Sequence, residues 1–351
     1  MPNPPKHIAV FRLSAMGDVA MTVPVLRALV TQNPEINITF VSRPFYKPFF
    51  SNIPNVTFYE IDLKKRHKGF FGLLRLFFDL KKLKINAFAD LHNVLRSKIV
   101  RTLFQLSGIK TAFTNKGRKE KKALTSSKNK VFKPLKTMVE RHVETFKKLG
   151  ISIDVSKTTF PEKSVLSQKI RAIIDFDPSQ NLIGIAPFAQ YESKVYPKDL
   201  MQKVIDELAK KPNNKILLFG SNQEMEQLNQ FINQNNKETK NIIVVASKLS
   251  FYEELQLLSN LKVILSMDSG NAHIAAMLGV NVVTLWGATH PFAGFSPFNQ
   301  PLENCLLSDR NQFPLLPTSI YGNKKVAGYE DVMRTIVPEN VVNKVNAFLK
   351  G

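Results

Sequence analysis

The alternation of short apolar segments with helical stretches is the feature that most limits how this chain can fold. Nine segments rich in β-branched and aromatic residues are predicted strands, at 7–13, 37–42, 56–61, 86–92, 182–187, 215–220, 241–246, 262–267 and 281–287. Helices are predicted between most of them, for example at 20–32, 70–84, 197–211, 222–235, 251–260 and 270–279. Such alternation is typical of parallel sheets that are covered by helices on both faces. The chain is therefore predicted to be an α/β protein with two doubly wound domains.

A polar segment with prolines near each end, at about 155–180, separates the two runs of strands. We accordingly predict an N-terminal domain at 1–160, a linker at 161–180 and a C-terminal domain at 181–337. The tail, 338–351, begins with Pro-Glu and spaces its apolar residues as one helical face. We expect a final helix there.

Composition limits the class of protein further. The 351 residues are 44% hydrophobic, which provides for a substantial core and excludes global disorder. A single cysteine, Cys305, excludes an intrachain disulfide and a cysteine-rich zinc site. The N-terminal segment lacks the apolar core of a signal peptide, and no apolar run approaches the roughly 18–20 residues that cross a bilayer. We expect a cytoplasmic protein.

Positive charge is concentrated in one part of the chain. The net charge is +21, and residues 64–150 account for +19 of it, with 24 Lys and Arg against 5 Asp and Glu. Such a field attracts a polyanion, which is nucleic acid, an anionic membrane surface or a phosphorylated glycolipid. Solubility alone is the other explanation, and it is the simpler one for any single lysine. For the block as a whole we favour a partner.

Ligands of open α/β sheets bind beyond the carboxyl ends of the strands, and four stretches of this sequence fall there. The first is Ser14–Asp18, at the turn from a strand into a helix. Free N–H groups at a helix N-terminus favour anions, and Gly17 permits close approach. Two interpretations of Asp18 remain open: a helix-capping charge, or a general base directed into a cleft. The dinucleotide fingerprint G-x-G-x-x-G is missing from this turn, which disfavours a dehydrogenase.

The second stretch, residues 267–279, follows a predicted strand. Asp268, Ser269 and Gly270 form the turn, and backbone N–H groups in such a turn suit a phosphate. His273 lies in the first helical turn, where it is either a structural histidine or a ligand of the same anion.

The third and fourth stretches follow two other strands of the predicted C-terminal domain. Lys194 is either a solvated lysine or a group that neutralises a diphosphate. Glu224 is either a first-turn helix acid or an acceptor for ribose hydroxyls. Asp175 and Asp177 form a D-x-D pattern that is used for divalent metals, but they lie in the predicted linker, away from the strand ends. The sequence contains no convincing cluster of metal-ligating residues, no G-x-S-x-G and no Walker A motif.

Together these stretches resemble the heptosyltransferases of glycosyltransferase family 9, and the resemblance runs over nearly the whole chain. Ser14, Gly17, Asp18 and Pro24 match the family's S-x-x-G-D and the proline six residues later. DLHNVLRS (90–97) is similar to its D-x-[QH]-x-x-x-[KR]-S element.

Further matches lie in the second half. MVERHVETFKKLG (138–150) looks like the helix that closes the family's N-terminal domain, and SKVYP (193–197) resembles its K-x-W-P loop, with Tyr196 in place of tryptophan. The most specific match is MDSGNAHIAAMLGVNVVTLWGATHP (267–291), which resembles the family's D-[ST]-G-x-x-H-x-A-A…[FY]-G-x-T-x-P block.

The resemblance implies a GT-B fold, in which two Rossmann-like domains face each other across a cleft. The N-terminal domain would bind the acceptor, the C-terminal domain would bind the nucleotide sugar, and the final helix would return to the N-terminal domain. The implied activity is an inverting transfer, most simply of heptose from ADP-heptose to the inner core of a lipopolysaccharide or lipooligosaccharide.

The resemblance also implies roles for single residues. Asp18 would be the catalytic base that deprotonates the acceptor hydroxyl. The donor-binding residues would be Lys194, Glu224, Asp268, Ser269, Gly270 and His273. The expected acceptor-binding residues are Ser14, Gly17, Lys64, Lys65, Arg66, Lys68 and Arg96. A base for the incoming hydroxyl and positive charge for the departing diphosphate would suffice, so neither a metal nor another cofactor is expected.

The implied partners are an ADP-sugar, the anionic lipid A/core glycolipid and the inner leaflet of the inner membrane, at which the enzyme would be peripheral. Phe70, Phe71, Leu74 and Phe78 would rest on that surface, or they belong to a helix that simply packs on the core. We expect the inner face of 70–84 in the core and membrane contact limited to 64–71. The Lys-rich segment 116–133 is a second candidate for surface contact.

Two other functions remain open. One is a polyanion-binding α/β protein without transferase activity, whose ligand is nucleic acid or an anionic membrane. Residues 110–136 lack the interleaved aromatic residues of a base-stacking surface, so we expect no nucleic acid. The other is a family member that has lost catalysis, which the presence of Asp18, Lys194 and His273 disfavours.

Overall fold

The computed structural model describes residues 5–233 and 239–349, and the chain divides into two compact units. The first unit comprises Met1–Lys116 and Lys136–Phe160, and the second comprises Gly117–Leu135 and Pro161–Gly351. Residues 117–135, which the sequence analysis assigned to the N-terminal domain, are thus grouped with the second unit.

The first unit is built on a parallel sheet with helices packed against it. Its strands are β1 (His7–Phe11), β2 (Asn37–Ser42), β3 (Val56–Glu60), β4 (Ala87–Asp90) and β5 (Lys110–Phe113). The helices along this part of the chain are α1 (Met16–Ala20), α2 (Val23–Gln32), α3 (Gly69–Lys82), α4 (Leu95–Leu106), α5 (Arg118–Leu124, in the second unit) and α6 (Met138–Lys148). The strand order is β3-β2-β1-β4-β5, and every adjacent pair is parallel.

The centre of this unit is largely apolar, as its sequence predicts. Residues 8–11 of β1 are completely buried, and Phe11 packs on Phe88 of β4. The rings of Phe88 and Phe104 stack at 5.1 Å, and Phe77 of α3 meets Phe104 edge-on. Helices α3 and α4 both bury an apolar face here. Strands β1 and β4 are parallel neighbours, so their polar carboxyl ends lie at the same edge of the sheet.

The second unit contains the remaining elements. Its strands are β6 (Asn181–Ala186), β7 (Asn214–Leu218), β8 (Ile242–Val244), β9 (Val263–Met267), β10 (Asn281–Trp286) and β11 (Cys305–Leu307). Its further helices are α7 (Gln168–Ile174), α8 (Lys198–Ala209), α9 (Met225–Asn233), α10 (Phe251–Leu258), α11 (Gly270–Met277) and α12 (Pro338–Ala347). The order β11-β10-β9-β6-β7-β8 is again wholly parallel, so the predicted α/β class is confirmed.

All nine predicted strands exist, with ends that differ by up to two residues. The sequence missed β5 and β11, which are four and three residues long and only partly buried. The predicted helix 20–32 is two helices, α1 and α2, with a break at residues 21–22. The last two residues of the predicted helix 222–235 lie outside the described part of the chain.

The expected return of the final helix to the N-terminal domain needs correction. Helix α12 lies in the second unit, where Val341, Val342 and Val345 are buried in the core and α12 packs along α8. Its single apolar face is thereby covered within its own unit. Residues 350–351, at the end of the predicted tail, lie outside the described residues.

The predicted linker, 161–180, is folded with the second unit. Its short helix α7 buries Ile170 and Ile174. The two aspartates of the D-x-D pattern have local structural roles: Asp175 ends α7 and accepts from the Lys215 ammonium, while Asp177 accepts from the backbone and hydroxyl of Ser179.

The inserted segment 117–135 docks by aromatic and cationic contacts. Phe132 meets the rings of His290 and Phe292 at 5.0 Å, and the Arg310 guanidinium lies 3.5 Å from its centroid. The Lys130 ammonium donates to the carbonyl of Pro317. Burial and the nearby Arg310 lower the pKa of His290 to about 4, so this cluster holds a neutral imidazole at neutral pH.

No helix among the described residues is long and apolar enough to cross a membrane.

Candidate functional site

A buried arginine organises the end of β1 in the first unit. The Nε of Arg12 donates to the carbonyl of Ser14 at 2.8 Å, and its Nη1 donates to the carbonyl of Leu91 at 2.6 Å. Its Nη2 forms an ion pair with Asp18. The guanidinium therefore joins the loop after β1, the end of β4 and the first turn of α1.

Asp18 has a capping role and is also accessible. Its Oδ2 accepts from the backbone N–H of Ala15, the residue before α1, at 3.2 Å. The side chain nevertheless remains 27% exposed, while that of Arg12 is 3% exposed. The capping interpretation thus describes the observed contacts, and the geometry leaves the carboxylate accessible for a reacting hydroxyl. The role of Asp18 as a base stays a prediction.

Two histidines accompany this carboxylate. The Oγ of Ser14 lies 3.4 Å from Nε2 of His92, and His142 contacts Thr114 at the end of β5. Burial, with the positive charges of Arg12 and Lys116, lowers the pKa of His92 to about 3. Burial, followed by the charge of Arg12, likewise lowers the pKa of His142 to about 3. Both imidazoles are neutral at neutral pH, whereas the guanidinium of Arg12 places a positive charge in contact with Asp18.

The expected acceptor-binding residues of the first unit differ in their surroundings. Arg66 forms a two-pronged ion pair with Asp79 of α3, in which Nε donates at 2.9 Å and Nη2 at 2.8 Å, so an internal carboxylate already engages its guanidinium. The other expected cations are exposed, as Arg66 is: Lys64, Lys65 and Lys68 in the adjoining loop, and Arg96 in the first turn of α4. Ser14 lies in the β1–α1 turn, and Gly17 lies in the first turn of α1 beside Asp18.

A second cluster joins three neighbouring strands of the second unit. Lys194 follows β6, and its Nζ lies 3.0 Å from Oδ2 of Asp268, which follows β9. The hydroxyl of Thr289, after β10, donates to the same Oδ2 at 2.8 Å. Both charged side chains are about nine-tenths buried, at 12% and 9% exposure. Since β10, β9 and β6 are adjacent, the sheet order itself brings these three residues together.

The start of α11 adjoins this cluster. Ser269 precedes the helix, and its hydroxyl lies 3.1 Å from the hydroxyl of Ser266. In the part of the chain that the structure describes, the Ser269 side chain makes no capping hydrogen bond to the backbone N–H groups of α11. The Gly270 turn therefore presents backbone donors and a partial positive charge, which is a general anion-binding arrangement. His273 is buried in the first turn.

The loop that carries Lys194 is held by residues that the sequence analysis did not identify. The Ser193 hydroxyl donates to the Gly322 carbonyl at 2.7 Å. Gly322 has φ +86°, and a Cβ there would lie 2.5 Å from Cδ of Lys194, so glycine suits both the backbone conformation and the close approach of the lysine. The Tyr196 hydroxyl donates to the buried Ile336 carbonyl at 2.6 Å. These contacts hold Lys194 at Asp268.

Tyr196, the departure from the family's tryptophan, is a core residue that is 1% exposed. It anchors the lysine loop rather than presenting a ring to solvent. Glu224 closes a capping box, because its Oε2 accepts from the backbone and hydroxyl of Ser221 at 2.7 and 2.9 Å. This is the first-turn helix role, and contact with a ribose stays a prediction.

Within residues 5–233 and 239–349, no group of three or more His, Cys, Asp or Glu side chains is placed to hold a metal ion.

Comparison with known proteins agrees with this architecture. The sequence profile of glycosyltransferase family 9 (heptosyltransferase) matches residues 73–319. Lipopolysaccharide heptosyltransferase 1 of Campylobacter coli is 26% identical over 295 residues, which cover 80% of this chain and 84% of that protein.

Two solved structures share the fold. The ADP-heptose LPS heptosyltransferase II of Escherichia coli aligns with a TM-score of 0.68 at 20% identity, covering 98% of both chains. The E. coli heptosyltransferase WaaC, solved with ADP, aligns with a TM-score of 0.63 at 17% identity, covering 97% of this chain and 99% of that one. Two parallel α/β sheets with this likeness show the GT-B fold.

The family profile spans more than half of the sequence, and the chain belongs to glycosyltransferase family 9.

Proposed function

We propose that this enzyme transfers heptose from ADP-heptose to the inner core of a lipopolysaccharide or lipooligosaccharide. The observation that carries the proposal is the buried Lys194–Asp268–Thr289 cluster beside the N-terminus of α11. It places a fixed ammonium group next to backbone donors at the carboxyl edge of a parallel sheet. That is the arrangement required to bind and stabilise a departing nucleoside diphosphate.

Lys194 is suited to this role by its restraint. The ammonium group of Lys194 has three N–H donors and is held by its ion pair with Asp268, and we expect these donors to reach phosphate oxygens of the donor substrate. The Thr289 hydroxyl and the Lys194 ammonium both contact Oδ2 of Asp268, so this carboxylate positions the lysine. Gly270 and His273 complete the proposed donor site from α11, and Ser269 from the residue before it.

Asp18 is the proposed general base. The ion pair with Arg12 and the bond from Ala15 fix one carboxylate oxygen, which directs the side chain without enclosing it. Removal of the acceptor proton by Asp18 and departure of the diphosphate toward Lys194 would form a single displacement with inversion of the anomeric carbon. Asp18 would supply the negative charge of the base, and Lys194 would supply the positive charge that receives the diphosphate.

The acceptor and the location follow from the same proposal. An inner-core glycolipid is phosphorylated and anionic, which accounts for the surplus of +19 within residues 64–150. Lys64, Lys65 and Lys68 are its proposed contacts. The enzyme would act from the cytoplasm as a peripheral protein at the inner leaflet of the inner membrane.

Calorimetric titration tests the donor site. The protein is titrated with ADP, ADP-heptose, UDP and GDP, and the titrations are repeated with Lys194→Ala and with the exposed control Lys203→Ala on α8. We expect preference for the ADP ligands, a loss of about 1–3 kcal/mol in Lys194→Ala because a charged hydrogen bond is removed, and no change in the control.

Two results would contradict the proposal. Indifference to every nucleotide would remove the transferase assignment and favour a polyanion-binding protein. Preference for UDP or GDP would retain the site but replace the donor.

A further inference from the structure

Helix α3 carries aromatic side chains on the side that faces away from the core. Leu73, Leu76, Phe77 and Leu80 are buried, as a packing helix requires. On the other side Phe70, Phe71 and Phe78 are 58%, 80% and 57% exposed. Three phenylalanines more than half exposed on one helix form an apolar surface of a kind that marks an interaction site.

On the outward side of α3, apolar side chains alternate with cations along two helical stripes. Phe71, Arg75, Phe78 and Lys82 follow the i, i+4, i+7, i+11 spacing of one helical stripe. Phe70 and Lys81 belong to the stripe beside it, with Leu74 between them. Asp79 is the only acid of α3, and Arg66 engages it from the preceding loop. The outward face thus combines rings and positive charge.

The basic loop before α3 is fixed to this helix. The backbone N–H groups of Lys64 and Lys65 donate to the Asp62 carboxylate, and Arg66 reaches Asp79. A Cβ at Gly72 would lie 2.3 Å from the carbonyl carbon of His67, so glycine is required for the loop to lie against α3. Loop and helix therefore form one continuous surface, with lysines at one end and phenylalanines beyond them.

We infer that this surface, Lys64–Lys68 together with the outward face of α3, docks on an anionic lipid bilayer. Rings at the level of the acyl boundary and cations at the level of the headgroups are the two components of interfacial binding by a helix that lies in the membrane plane. The contact extends to Phe78 and Lys82, beyond the segment 64–71 that the sequence indicated. The inference rests on the proposed function, because the proposed acceptor is anchored in a bilayer.

The charges favour a bilayer over a second copy of the chain. Pairing two α3 faces would oppose Arg75, Lys81 and Lys82 to the same cations, without an unengaged acid on either helix. The ring geometry also favours lipid over single-stranded nucleic acid. Phe70 and Phe71 meet edge-on at 75°, whereas stacked bases need parallel platforms.

Vesicle sedimentation tests the inference without donor or acceptor, so its outcome is independent of the transferase proposal. The full-length protein is mixed with vesicles of equal parts phosphatidylglycerol and phosphatidylcholine, or of phosphatidylcholine alone. The variants are Phe70→Ser/Phe71→Ser/Phe78→Ser and Lys81→Gln/Lys82→Gln. The matched control is Val165→Ser, an 82% exposed apolar residue of the second unit.

We expect binding to anionic vesicles, weakened at least about tenfold by the triple serine variant and several-fold by the glutamine variant, with the control unchanged. Because all substituted side chains are exposed, unfolding midpoints should match that of the unaltered protein.

Equal binding of all four proteins would overturn the inference. So would a phenylalanine-dependent dimer in solution, or preference of this surface for a single-stranded oligonucleotide over anionic vesicles. If donor titration fails while vesicle binding holds, the docking surface stands and only the transferase proposal falls.

Discussion

Replacing Tyr196 with phenylalanine removes one oxygen from the core of the second unit. The Tyr196 hydroxyl donates to the Ile336 carbonyl at 2.6 Å, and the two residues are 1% and 4% exposed. Tyr196→Phe leaves the ring in place and the carbonyl without this donor. Leaving a buried acceptor unsatisfied costs about 1–3 kcal/mol, which for a unit of this size lowers Tm by about 2–12 °C.

The chain provides its own probe for this unit. Trp286 is the single tryptophan and is buried in β10, so its fluorescence follows unfolding of the second unit. Thermal and urea unfolding are recorded for the unaltered protein, Tyr196→Phe and the exposed control Tyr252→Phe. Because Tyr196 follows the Lys194 loop, ADP affinity should also fall in Tyr196→Phe.

The expected pattern is a loss of stability in Tyr196→Phe and a change within about 0.5 kcal/mol in the control. An unchanged unfolding midpoint in Tyr196→Phe would refute the reasoning, because the Ile336 carbonyl would then need no buried donor.

Two further predictions concern the first unit. Gly72→Ala places a Cβ 2.3 Å from the His67 backbone and should destabilise the protein by about 1–3 kcal/mol in urea unfolding followed by circular dichroism; wild-type stability would show that the loop does not need this close contact. His142 has its pKa lowered to about 3 in the folded protein, against 6.5 when unfolded. The unfolded chain therefore binds this proton first, and stability should fall as pH drops from about 6.5 toward 3, by up to about 1.4 kcal/mol per pH unit. His142→Gln should lose that part of the slope, and an identical pH profile in this variant would contradict the assignment.

Local sequence patterns predicted the strands well because most strands are buried in continuous apolar runs. Residues 37–42 and 281–286, for example, are buried except for the first residue of each, and half of their residues are β-branched. By contrast, β5 at Lys110–Phe113 carries one buried residue, Ala112, and has no pattern that distinguishes it from a loop. Edge strands of this length form because a neighbouring strand pairs with them.

Contacts between distant parts of the chain escaped the sequence analysis. The apolar face of α12 predicted a helix but not the surface that covers it, which is α8. The sequence indicated segment 116–133 as a candidate for surface contact, yet Phe132 and Lys130 dock it on residues about 160–190 positions away. No periodicity encodes such a contact.

In the candidate sites, too, local sequence pattern identified some residues, whereas residues that depend on distant contacts were missed. The strand-end motifs identified Lys194 and Asp268, which meet because turns after parallel strands of one sheet lie at the same edge, and they identified Asp18 after β1 of the other sheet; the catalytic and binding roles of these residues stay predictions. Arg12 and Gly322 were missed. Arg12 offered one signal, a charged residue directly after a buried strand. Gly322 offered none, since the reason for glycine there is the Lys194 side chain, which lies 128 residues earlier in the sequence.

Glycosyl transfer by the purified enzyme tests the central claim most directly. ADP-heptose and an inner-core acceptor that lacks heptose are incubated with the unaltered protein or with Asp18→Asn, and the glycolipid is followed by mass spectrometry. We predict the gain of one heptosyl group with the unaltered protein and a rate at least about 100-fold lower with Asp18→Asn, because the general base is lost. A product formed equally fast by Asp18→Asn would contradict the role of Asp18, and no product from the unaltered protein, with donor bound, would contradict the proposed transfer.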